Sequence, residues 1–124
     1  MPTKANHVLT VEMVGVAMVV TPQGDSFGFR YNEIHLETNS VVQAIDRRSA
    51  KNLIINFTNV EIIGSVMITA VVRLARTIGA RNGRAAFCCA SSTTKSVIQS
   101  MNLTQLWPHF ETQAGALASF GPAL

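Results

Sequence analysis

Charge is scarce in this chain: 14% of its 124 residues are Asp, Glu, Lys or Arg, against 48% that are hydrophobic. So apolar a chain has ample surface to bury, which excludes a disordered protein and points to strands covered on both faces. Cysteine is nearly absent, with only Cys88 and Cys89 present. On a strand, adjacent side chains point to opposite faces, so the two cannot easily bridge each other, and no Cys-x-x-Cys or His/Cys spacing suggests zinc. They read as small core residues in a reducing cytoplasm. Long hydrophobic runs are also missing. The stretch "VGVAMVV", 14–20, is far too short to span a bilayer and lacks a small-residue cleavage pattern, so it reads as a strand and no membrane insertion is expected.

What is there forms one domain, placed at 5–121, large enough to bury roughly two thirds of its unfolded surface without a metal, disulfide or cofactor. The net charge is +3, but the basic residues are scattered apart from Arg73, Arg76, Arg81 and Arg84. With no aromatic residues interleaved, that cluster reads as a solvated helix face and turn, and no direct contact with nucleic acid is expected.

Periodicity supplies the elements. "HVLTVEM" (7–13) and "VAMVVTP" (16–22) are β-rich runs around Gly15, a hairpin. After a loop marked by "QGDSFG", helical spacing over 31–48 predicts a first helix, with Asn32 or Asn39 available as caps. "NLIINF" (52–57) is apolar almost throughout, as expected of a central strand. A second helix runs over 65–79 and ends in "GARNG", where Gly and Asn supply a left-handed stop. A buried strand at 84–90, a hydroxyl-capped helix at 91–102, an edge-like strand at 106–110 containing Pro108, and a last helix at 111–120 complete the order. Strands alternating with helices behind a hairpin imply an α/β fold: a mixed β-sheet of about five strands with four helices packed on it.

Catalytic patterns are missing. His7, His35 and His109 sit in three different elements with no serine or cysteine beside them in a triad-like arrangement. "GARNGR" has the glycines of a phosphate loop but not its Lys and Ser or Thr, and no clustered acids at strand ends stand ready for magnesium. Met13, Met18, Met67 and Met101 fit core packing, and Trp107 fits a cover for the end of the sheet. An enzyme is not indicated.

One feature stands out against this background, a small hydroxyl at the hinge where "NVEIIGSVMITAVVRLAR" (59–76) passes from strand to helix. Ser65 at a first helical turn suits a cap, and equally suits a phosphate received by free amides and the positive end of the helix dipole. Around it, Ile62, Val66 and Met67 form an apolar rim of the kind a partner contacts, with Ile63 as the plug between strand and loop.

The element order, together with "NLIINFTNVEIIGSVMITAVVRL", "SSTTKSVIQSMNL" and the Asp25 that follows "TPQG", resembles the STAS domain of bacterial anti-sigma factor antagonists and sulfate-transporter tails. The resemblance implies that Ser65 is the phosphoacceptor and that the partner is an anti-sigma factor that is also a serine kinase. It further implies a partner surface at Asp25, Ile62, Gly64, Ser65, Val66 and Met67, and a cytoplasmic regulator acting as a monomer or weak dimer. The chain departs from the family motif at three positions: Gly64 replaces Asp, Val66 replaces Ser or Thr, and Met67 replaces Gly. Two readings stay open, a regulator switched at Ser65 and a small-ligand-binding or transport-associated STAS module without phosphoregulation.

Overall fold

The computed structural model describes residues 8–23 and 31–121. Strands β1 (Leu9–Val14) and β2 (Ala17–Pro22) form the antiparallel hairpin, joined through Gly15 and Val16. Gly15 has φ 62°, the positive value that the first turn residue of a tight type II′ hairpin needs and that glycine adopts without penalty. Helix α1 (Tyr31–Arg47) leads to β3 (Asn52–Asn56), α2 (Ser65–Ala80) to β4 (Arg84–Cys88), and α3 (Ser92–Ser100) to β5 (His109–Phe110), before α4 (Gln113–Ser119) ends the fold. The strands lie in the order β1-β2-β3-β4-β5, parallel from β2 onward, so β3 is central as its apolar run requires.

Period-two alternation divides the sheet between two cores. On one face Met18, Val20, Leu53, Ile55 and Phe87 pack with Ile34, Val41 and Ile45 of α1, with Met67, Val71, Leu74 and Ile78 of α2, and with Ile98 of α3. Each fully buried Leu, Ile, Phe or Met side chain contributes roughly 1.5–3 kcal/mol of transfer free energy, so this face carries most of the stability. On the other face Val19, Ile54, Ala86 and Cys88 meet Ala116 of α4. Trp107 covers the end of the sheet, edge-on to Phe87 with ring centroids 6.1 Å apart.

Helix ends follow local chemistry. At the end of α2, Asn82 adopts φ 67°, and the amides of Asn82 and Gly83 bond back to Gly79 and Ile78 in the paired pattern of a left-handed stop. At the end of α1 the same pattern recurs on Ser49, φ 52°, with the amides of Ser49 and Ala50 bonded to Asp46 and Ile45. Asn32 and Asn39 lie inside α1 rather than capping it, and Asn39 Oδ1 instead accepts a 2.6 Å hydrogen bond from Arg73 of α2.

The expected strand at 106–110 shrinks to two residues. Leu103–Gln105 winds into a 3-10 turn after Asn102, φ 59°, and the Trp107 amide bonds Leu103, so the chain becomes extended only beyond Pro108. The two cysteines also depart from the expected geometry. Cys89 follows the last β4 residue in a left-handed conformation, φ 64°, and packs against the same core cluster that holds Cys88.

Candidate functional site at the mouth of helix α2

The segment between β3 and α2 is held by a buried asparagine. Asn56 Oδ1 accepts from both the amide and the hydroxyl of Thr58, while Asn56 Nδ2 donates to Gln113 Oε1 on α4 at 2.8 Å. Further on, the carbonyl of Glu61 accepts from Ser91 Oγ at 2.8 Å, which ties the segment to the start of α3. Between these anchors Ile63, 6% exposed, plugs the core and forces Ile62 outward to 45% exposure.

Gly64, not Ser65, is the cap residue of α2: its backbone is extended (φ −92°, ψ 166°), its carbonyl accepts the first helical bond from Ile68, and no side chain caps the helix. The capping role read for Ser65 is therefore corrected. Ser65 is the first residue within the helix and is exposed, beside amides that have no partner in the helix. Val66 is half-buried beside it. Met67 is fully buried against the sheet, because one residue further along a helix turns the side chain inward, and it thus leaves the expected contact rim for the core. Asp25 lies outside the described residues.

Ser65 also opens onto a groove of about 240 Å³ between α1 and α2, bounded by Ile34, His35, Thr38, Thr69 and Arg73. Thr69 and Arg73 follow Ser65 at spacings of four and eight residues, a helical stripe legible in the sequence but not singled out there. Both threonine hydroxyls are occupied locally, Thr69 donating to the Ser65 carbonyl and Thr38 to that of Ile34.

The other candidates have structural places. Arg73 bonds Asn39, Arg76 lies over Trp107, Arg81 pairs with Asp46, and Arg84 bonds the Ser119 carbonyl, as expected of a solvated face. His109 Nε2 accepts a 3.1 Å hydrogen bond from the Ala90 amide, and burial, followed by the charge of Lys95, lowers its pKa against the opposing pull of Glu111. His35 stands at the groove, and His7 lies outside the described residues. Among the described residues no cluster of three or more His, Cys, Asp or Glu side chains is placed to hold a metal ion. Among them, too, no helix is long and apolar enough to cross a membrane.

Solved structures share this fold closely. The Thermotoga maritima protein TM1081 superimposes with a TM-score of 0.80 at 16% identity, over 94% of this chain and 97% of that one. The anti-sigma factor antagonist SpoIIAA in its unphosphorylated form matches with a TM-score of 0.74 at 20% identity, over 90% and 94% of the two chains. The phosphorylated form of SpoIIAA from Bacillus matches at 0.69 and 20%, over 90% and 97%. No curated protein matches significantly in sequence. The family model for the STAS domain matches residues 8–116, nearly the whole length. On that match and that fold, the chain belongs to the STAS domain family.

Proposed function

We propose that this chain is a non-enzymatic interaction module that binds a serine-kinase-type anti-sigma factor through the mouth of α2 and is switched by phosphorylation of Ser65. One observation carries the reading: the Ser65 hydroxyl is exposed at the first position of α2, relieved of capping by Gly64. A kinase can reach such a hydroxyl, and the helix tolerates the product, because a phosphate at a helix N-terminus is stabilised by roughly 0.3–1 kcal/mol. The same phosphate places nearly two negative charges beside exposed Ile62 and half-buried Val66, where an apolar partner surface would have to desolvate them. Modification thus leaves the fold intact and weakens binding. SpoIIAA, which shares the fold, has been solved in both phosphorylation states. Ile62, Gly64, Ser65 and Val66, with Asp25, form the proposed contact surface, and the module works in the bacterial cytoplasm as a monomer or weak dimer.

The test is phosphate transfer. Mixed with its cognate anti-sigma kinase and ATP, the wild-type chain gains one phosphate on Ser65 and Ser65→Ala gains none; transfer that persists in Ser65→Ala, or is absent in the wild type, overturns the switch.

The groove between α1 and α2 favours a second reading, a small-ligand-binding or transport-associated module without phosphoregulation. Native mass spectrometry of freshly purified protein separates the two, since a retained nucleotide or lipid belongs only to the second.

A further inference from the structure

Adjacent residues of a regular strand point to opposite faces of the sheet, which would keep the thiols of Cys88 and Cys89 apart. The backbone of this chain undoes that separation. Cys89 has φ 64°, a left-handed conformation that costs an L residue without an Asn or Asp side chain roughly 1–2 kcal/mol, and its side chain packs on the same cluster as Cys88. The peptide that joins the two cysteines is held from both neighbouring chain segments, its Cys88 carbonyl accepting from the Phe57 amide at 2.9 Å and its Cys89 amide donating to the Phe110 carbonyl at 3.1 Å. The two sulfurs also differ in access. Cys88 is fully buried, whereas Cys89 is half-buried and lines a cavity of about 330 Å³, walled by Phe57–Glu61 and Ser91, at the carboxyl ends of β3 and β4.

We propose that Cys88 and Cys89 form a vicinal dithiol that a hydroperoxide converts reversibly to an intramolecular disulfide. The peroxide enters from the cavity, and the Cys89 sulfur attacks one of its oxygens; the O–O bond breaks, giving Cys89 sulfenic acid and an alcohol, or water from hydrogen peroxide. The Cys88 sulfur then attacks the Cys89 sulfur. The S–S bond forms as the S–O bond breaks, and the departing hydroxide leaves as water with the Cys88 proton. Two thiols lose two electrons in all, and the peroxide is reduced by two.

Burial, reinforced by the neighbouring Cys89 thiol, pushes the Cys88 pKa up, so Cys88 stays protonated and does not compete for the oxidant. Closure is the slower step for the same reason, since a thiolate is the attacking species. The product is readily reduced: Cα atoms joined by one trans peptide stand about 3.8 Å apart, short of the roughly 4.4–6.8 Å span of relaxed disulfides. That makes the pair a reversible redox site rather than a structural bridge. It stands whether or not Ser65 is phosphorylated.

Cleavage after Arg84 and Lys95 places both cysteines, the only two in the chain, in one tryptic peptide, Ala85–Lys95. The experiment treats the full chain with hydrogen peroxide, blocks free thiols with N-ethylmaleimide in denaturant, and measures this peptide by mass spectrometry without reductant. The expected main product is the unalkylated peptide lighter by two hydrogens, reverting to the doubly alkylated form when dithiothreitol precedes blocking. Cys89→Ala should give no such loss and keep one alkylatable thiol at position 88. A peptide gaining oxygen atoms instead, a cross-link between two chains, or one that stays doubly alkylated overturns the proposal.

Discussion

Ser65 and Ser91 show how one residue type serves two ends at two helix starts. Ser91 is a cap in full: its Oγ accepts from the Thr94 amide at 3.1 Å and donates to the Glu61 carbonyl at 2.8 Å. Ser65 sits one position later relative to its helix, and its hydroxyl does no capping. Ser91→Ala is therefore expected to lower stability by about 1–2 kcal/mol, while Ser65→Ala stays within about 0.5 kcal/mol of the parent, both read from urea midpoints. Gly83 is a sharper case. A Cβ there would lie 2.1 Å from the Lys51 carbonyl oxygen, a backbone atom, and 3.1 Å from the fully buried Ile78, so Gly83→Ala is expected to cost more than about 2 kcal/mol in the same measurement. At this scale the position of Ser65 at the start of α2 and the burial of Ile63 were legible in the sequence. Which of its neighbours faces inward was not legible, because rim and core lie one residue apart in the first turn of α2, where Val66 stays half-buried and Met67 turns into the core.

Among the elements, the hairpin, the central strand and the alternating helices follow from apolar patterning, since a short continuous apolar run bounded by polar residues marks β3 and apolar spacing near 3.6 residues marks α2. The failures occur where the backbone leaves those periods. The last strand loses its first half to the 3-10 turn at Leu103–Gln105, and Cys89 leaves strand geometry altogether. Ser49 at the end of α1 is a related case, a serine where glycine or asparagine is favoured. Ser49→Gly removes the penalty of a Cβ in the left-handed region, so a gain of about 0.5–1 kcal/mol is expected, visible as a higher melting temperature. The groove between α1 and α2 was not legible either, because the residues lining it are 27 or more positions apart across its two walls, Thr38 to Ser65 being the nearest pair.

For the whole molecule, acid is expected to weaken the fold through His109. Its folded pKa lies below the ordinary 6.5, chiefly because it is partly buried, and Nε2 must stay unprotonated to accept from Ala90. Below 6.5 the unfolded chain takes up a proton that the folded chain still refuses, so stability falls as the pH drops from 6.5 toward the folded value. Glu111, whose carboxylate is held below 4.5 by its bond to Lys95, adds a loss of the same sign at lower pH. Thermal melts between neutral pH and pH 5 check this, with His109→Asn expected to flatten the slope in the window just under 6.5. The function proposed above depends on the surface around Ser65 meeting another protein, and calorimetric titration of a serine-kinase-type anti-sigma factor with the wild-type chain, Ser65→Ala and Ser65→Glu tests it most directly. Wild type and Ser65→Ala should bind alike and Ser65→Glu at least about tenfold more weakly, near 1.4 kcal/mol; equal binding by Ser65→Glu, or binding by none of the three, would contradict the account.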